Sequence, residues 1–165
     1  ELVDEATERD GIPYRIYEQK GFITFSGDNF VDYHDCFNWF TNLIEQYKIY
    51  PLMVGYDRYS AQYLIQDMKA YGFQCDDVFQ GENLTPVIQE TEGLLKDGAF
   101  DFFDNDLMKI HLANSAMKLN NQNGRMKLIK INSVDRIDGT ASFLDAMCVR
   151  QKWAAELGDQ LKNKR

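Results

Sequence analysis

Proline, cysteine and histidine are all scarce in this 165-residue chain, at three, three and two residues. Each shortage removes a class of protein. Cys36, Cys75 and Cys148 are odd in number, widely spaced and free of any C-x-x-C pattern, so neither a disulfide framework nor a zinc site is expected. They read as ordinary buried thiols. With only His34 and His111, each on an amphipathic helical stretch, no H-E-x-x-H pair can form, and both read as structural. There is no stretch rich in Pro, Gly or Ser that would act as a linker, no internal repeat and no low-complexity segment, so residues 1–165 are expected to form one domain. No apolar run approaches the ~18 residues of a membrane span. The acidic stretch Glu1 to Asp10 lacks the apolar core of a signal peptide, which makes a cytosolic location the expectation. Also missing are G-x-x-x-x-G-K-[ST], G-x-G-x-x-G and G-x-S-x-G, which removes the signatures of a phosphate-cradling loop, a dinucleotide fold and a serine hydrolase elbow.

What is present suits a folded globular domain: 44% of residues are hydrophobic and 13% aromatic. The net charge of −8 is unevenly spread. Of 18 Lys and Arg, 11 fall after residue 106, against only five of the 26 Asp and Glu, so the last 59 residues carry about +6 and the first 106 about −14. Such asymmetry hints at a side that faces a polyanion.

Read in order, the chain alternates helices and strands. Charged residues up to Arg9 and the Tyr14 to Gly21 segment predict short helices, Phe22 to Phe25 predicts a strand, and Val31 to Tyr47 has helical spacing over three turns. Leu52 to Tyr56 reads as a buried strand with Asp57-Arg58 at its C-terminal end, followed by a helix capped by Ser60 and ended by Gly72. Phe73 to Phe79 predicts another strand, Thr85-Pro86 opens a helix, and Asn105 to Ala116 has helical spacing. Residues 117–131 predict a hairpin around N-N-Q-N-G, and the closing K-N-K-R reads as a frayed tail. An α/β layer structure is expected.

Chemistry is expected where acids sit at element junctions. In K-I-N-S-V-D-R-I-D-G-T-A-S-F-L-D, residues 130–145, a strand feeds a helix on which Asp138, Ser142 and Asp145 fall at i, i+4 and i+7, with Asp135 one turn before Asp138. Two or three carboxylates can therefore face one point, which suits a hard divalent cation. On this stretch alone, helix-cap chemistry is the readier explanation of Asp135 and Asp138, because negative charge is stabilised at a helix N-terminus. In open α/β sheets ligands bind beyond the carboxyl ends of strands, which singles out Asp57. Carboxylates gathered from separate elements are what metal-dependent phosphodiester hydrolysis needs.

The run V-G-Y-D-R-Y-S-A-Q-Y-L-I-Q-D-M-K-A-Y-G at 54–72, the Gln80-Gly81 loop, L-T-P at 84–86 and R-I-D-G-T-A at 136–141 resemble the nuclease domain of tailed-phage large terminase subunits. The segment 12–32 resembles the entry into that domain, so the likeness covers nearly the whole chain. It implies a ribonuclease H-like mixed sheet flanked by helices, and a metal-dependent endonuclease that cuts concatemeric double-stranded DNA during packaging. It further implies Mg²⁺ or Mn²⁺ in a two-metal site, with Asp57 and Asp138 as ligands and Asp145 as a further candidate. Lys118, Arg125, Lys127, Lys130 and Arg136 would then hold DNA phosphates. The portal protein and the small terminase subunit are the implied partners, and the cytoplasm of the bacterial host the implied location. The family's first catalytic aspartate, in a G-x-D-x-S-like opening strand, has no equivalent here, and neither does its ATPase. A partial nuclease domain is therefore implied, lacking its N-terminal strand or strands and one acidic ligand, with Asp135 or Asp145 open as a replacement. An exposed helix acid is the expectation for Asp145. Two other readings stay open: a non-catalytic module docking on DNA or the portal, and a stand-alone resolvase-like nuclease.

Overall fold

The computed structural model describes residues 2–28, 30–59 and 62–163, the side chains of residues 160, 161 and 163 excepted. Three helices come first: α1 (Val3–Asp10), α2 (Tyr14–Gln19) and α3 (Tyr33–Glu45). The start of α3 is fixed by Asp32, whose carboxylate accepts the amide N–H of His34 at 2.8 Å. Its apolar stripe, Phe37, Phe40 and Ile44, packs on Ile65, Met68 and Phe73.

Strands β1 (Val54–Asp57) and β2 (Cys75–Val78) pair in parallel, from Val54↔Cys75 to Asp57↔Val78, and helix α4 (Gln62–Tyr71) makes the crossover that a parallel pair requires. α4 ends where sequence spacing placed it: Gly72 takes φ 118°, and the Phe73 amide reaches back to the Met68 carbonyl at 3.0 Å. Ser60, the expected cap of this helix, lies outside the described residues.

A 3₁₀ turn at Glu82–Leu84 leads into α5 (Thr85–Lys96), with Pro86 in its first turn, where a missing N–H costs nothing. Thr85 Oγ1 accepts the Met126 amide at 2.8 Å, which ties this corner to the hairpin of β3 (Ser115–Asn120) and β4 (Arg125–Lys130). Between them lies α6 (Asp106–Ala113), capped by Asn105. α7 (Asp138–Asn163) closes the fold. Leu144, Met147 and Val149 of α7 are buried against Val78, Leu84, Val87 and Ile88. Full burial of such side chains contributes about 1.5–3 kcal/mol each. The architecture is α/β, with the strands among the described residues in one parallel and one antiparallel pair.

Three local expectations are corrected. Phe22 to Phe25 forms no strand: the segment has no ladder partner, and Phe22 and Ile23 instead pack on Ile12, Tyr17 and Leu107. α7 begins only at Asp138, so Asp135 does not share its stripe; it sits in a turn where its Oδ2 accepts the Asn132 amide at 2.8 Å. The expected frayed tail is helical through Asn163, and Lys164 and Arg165 lie outside the described residues.

Candidate active site

The site is assembled where α7 crosses β1. Gly55 and Asp57 are two apart on β1 and so share a face. At Gly55 a Cβ atom would stand 2.6 Å from the Asp145 carbonyl oxygen, so only glycine lets the helix backbone come this close. That contact sets Asp145 alongside Asp57. Because Asp138, Ser142 and Asp145 follow one stripe of α7, they extend the same wall toward the helix N-terminus. A cleft of about 610 Å³ results, lined by Asp57, Gln80, Gly81, Lys127, Ile137, Asp138, Ser142 and Asp145 among others.

Asp145 is not the exposed helix acid expected from sequence: it is 8% exposed. Burial, and then the negative charge of Asp57, push its carboxyl up to about 7, while the Gln80 side-chain amide, which donates to Oδ1, works the other way. Asp57 Oδ1 accepts the amide N–H of Tyr59 at 3.2 Å. The N-terminus of α7 is held by His111, whose Nδ1 accepts the Gly139 N–H at 2.7 Å. Burial lowers the His111 pKa, and that favours the neutral ring this bond requires. At Gly139 a Cβ would meet that ring nitrogen at 2.5 Å, so glycine is again a condition of the contact. His111 is thus structural, as expected, and its task is to seat the helix that carries Asp138.

Of the five basic residues singled out, only Lys127 lines the cleft. Lys118 stands opposite it in the ladder and Arg125 two residues before it, so all three share one face of the hairpin; Lys130 falls on the other. Arg136 is already paired, donating from Nε to Asp10 Oδ2 at 2.9 Å, with the Asp10 side chain 1% exposed. Two residues that matter, Gln80 and Gly55, belong to the stretches that carry the resemblance but were given no role in the site. Gln80 reaches Asp145 across 65 positions of sequence, a distance no local pattern spans. Gly55, inside an otherwise apolar strand, did carry a signal, since an interior strand glycine marks close backbone approach.

A model of the endonuclease domain of terminase large subunits matches residues 5–155. The chain belongs to that family. The crystal structure of the HK97 bacteriophage large terminase superposes with a TM-score of 0.77 at 20% sequence identity, over 88% of this chain and 30% of that one. At that identity the likeness shows the fold, the ribonuclease H-like α/β arrangement of a phage terminase nuclease. No curated protein sequence matches the chain. In this terminase nuclease domain no helix among the described residues is long and apolar enough to cross a membrane.

The oxygen donors of the cleft fit a hard divalent cation in kind. Among the described residues, no three His, Cys, Asp or Glu side chains stand close enough to enclose an ion by themselves. Mg²⁺ does not require such a cage, because it keeps several waters and is commonly held by one or two carboxylates together with substrate phosphate.

Proposed function

We propose that this chain is the metal-dependent endonuclease domain of a terminase large subunit, cleaving concatemeric double-stranded DNA as genomes are packaged. The observation that carries the reading is the convergence of Asp57, Asp138 and Asp145 on one cleft beside Lys127. Asp57 and Asp138, with Asp145 as a further candidate, would hold Mg²⁺ or Mn²⁺ together with water and substrate phosphate. Such a cation supplies an activated water and stabilises the leaving oxygen of the phosphodiester. The chain's own groups do the rest. Gln80 fixes the orientation of the Asp145 carboxyl, and His111 fixes the first turn of α7 and with it Asp138. Lys127, exposed on β4, offers a cation to a phosphate entering the cleft, and Lys118 and Arg125 continue that positive face along the hairpin. These contacts are to the backbone, so they bind without reading sequence.

Incubation of duplex DNA with the protein and Mn²⁺ tests the reading. Asp57→Asn and Asp138→Asn are expected to cut roughly 100-fold more slowly or worse, since each keeps the side-chain shape and removes an anionic ligand. Equal cutting by both variants and the wild type would sink the assignment. One observation favours a second reading, a non-catalytic module that docks on DNA or the portal: no closed three-ligand set exists among the described residues. Calorimetry separates the two, because the docking module takes up no Mn²⁺ at millimolar concentration.

A further inference from the structure

The rim of the acidic cleft carries aromatic rings that the cleavage chemistry does not use. Tyr59, two residues beyond Asp57, is 77% exposed, and its backbone is tied to the Asp57 carboxylate. Phe79, next to the cleft-lining Gln80, is 42% exposed. The two rings meet edge to face with centroids 6.0 Å apart. Arg58 lies 5.8 Å from the Phe79 centroid and is itself anchored by the Asp77 carboxylate. The result is a braced unit: Asp77 holds Arg58, Arg58 covers Phe79, and Phe79 supports Tyr59, whose ring stands out in solvent.

Exposed apolar rings grouped at the mouth of a site mark something that covers them. The neighbours here choose the occupant. On one side stand Lys127, which by the proposed reading takes the phosphodiester backbone, and the acids that would hold the cation beside it. Tyr59 and Phe79 adjoin Asp57 and Gln80, both of which line the cleft, so a strand held there borders the two rings. In an intact duplex the faces of the bases are hidden in the stack, so a protein ring meets one only where a base is unpaired or turned out. We propose that Tyr59, braced by Phe79 and Arg58, is a stacking platform for an unpaired base of the DNA strand lying in the cleft. The strand that reaches the acids is therefore locally opened, and the platform holds it by its base while Lys127 holds it by its backbone. This rests on the reading that the cleft binds DNA.

The test compares two labelled oligonucleotides of equal length and charge, one of thymidines and one whose sugars carry no bases. Affinities are measured by fluorescence anisotropy at low salt in EDTA, so that no cleavage intrudes. The protein is expected to prefer the thymidine strand by about 5- to 10-fold or more, the effect of stacking one base on one ring. Tyr59→Ala is expected to erase that ratio and Tyr59→Phe to keep it; neither threatens folding, because the ring lies in solvent. Equal binding of the two strands by the wild type, binding of neither, or an undiminished ratio in Tyr59→Ala overturns the platform. The ratio needs no metal and no catalysis. If Asp57→Asn abolishes cutting while Tyr59→Ala keeps the ratio, only the platform falls. If Asp57→Asn still cuts while Tyr59→Ala loses the ratio, only the nuclease assignment falls.

Discussion

Replacing Asp145 by asparagine is expected to make the metal-free protein more stable at pH 8 while leaving it little changed at pH 4. In the folded chain, burial and the charge of Asp57 lift the Asp145 carboxyl from its ordinary 3.8 to about 7. Well below pH 3.8 the carboxyl is protonated in both folded and unfolded chains, so ionisation contributes nothing. Between about pH 4 and 7 the unfolded chain gives up the proton and the folded chain keeps it, so stability falls as pH rises. Above about 7 both have lost it and the loss is complete. A lift of roughly three units at about 1.36 kcal/mol each sets the size of the loss at up to about 4 kcal/mol. Asparagine keeps the shape and the oxygen that accepts from Gln80, and it carries no proton to lose. The difference in unfolding free energy between variant and wild type is therefore expected to move by up to about 4 kcal/mol in the variant's favour from pH 4 to pH 8. Urea unfolding in EDTA, followed by the fluorescence of the half-buried Trp153, reads it directly. If the two stability curves run parallel across that range, Asp145 is not held in the crowded, buried state described here.

Two further substitutions probe how the site is assembled. Gly55→Ala places a methyl 2.6 Å from the Asp145 carbonyl oxygen and 2.9 Å from its carbon, a clash with backbone that cannot swing away. It is expected to cost roughly 2–3 kcal/mol and to lower the thermal midpoint by several degrees, and an unchanged melting curve would show that α7 does not rest on β1 as described. Asp10→Asn removes the buried carboxylate that binds Arg9, Arg136 and Tyr14 and anchors the approach to α7. The Arg9 bond above all, and then those of Arg136 and Tyr14, hold the Asp10 carboxyl well below the usual range, so its stabilisation is present above about pH 4 and is lost as pH falls. The variant is expected to be less stable by roughly 3 kcal/mol at neutral pH and to show a flatter acid limb in urea titrations; an acid limb as steep as the wild type's would count against the anchor.

Much of this protein is local and so is legible in sequence. Helix and strand periods, the glycine stop at Gly72, the proline start of α5 and the turn around Gly124 depend on residues a few positions apart. The same is true of Asp57 at the end of a strand and Asp138 at the start of a helix, and the motif likeness that named the family is a matter of order and spacing. What sequence left open was set by contacts between distant segments. Phe22 to Phe25 had the pattern of a strand and found no partner with which to form a ladder. Asp145 had the right direction on its helix, yet a stripe gives direction and not depth. Its burial came from the close approach of α7 to β1 at Gly55 and from Gln80 arriving across the fold. Arg136 had the charge of a phosphate ligand, and a carboxylate 126 residues earlier in the chain had already claimed it. Sequence alone determined most of the elements and the acids at their ends. Which of those acids share a cleft, and in what charge state, was decided by the tertiary structure, because the energy of a charge depends on what surrounds it and local pattern does not record those surroundings.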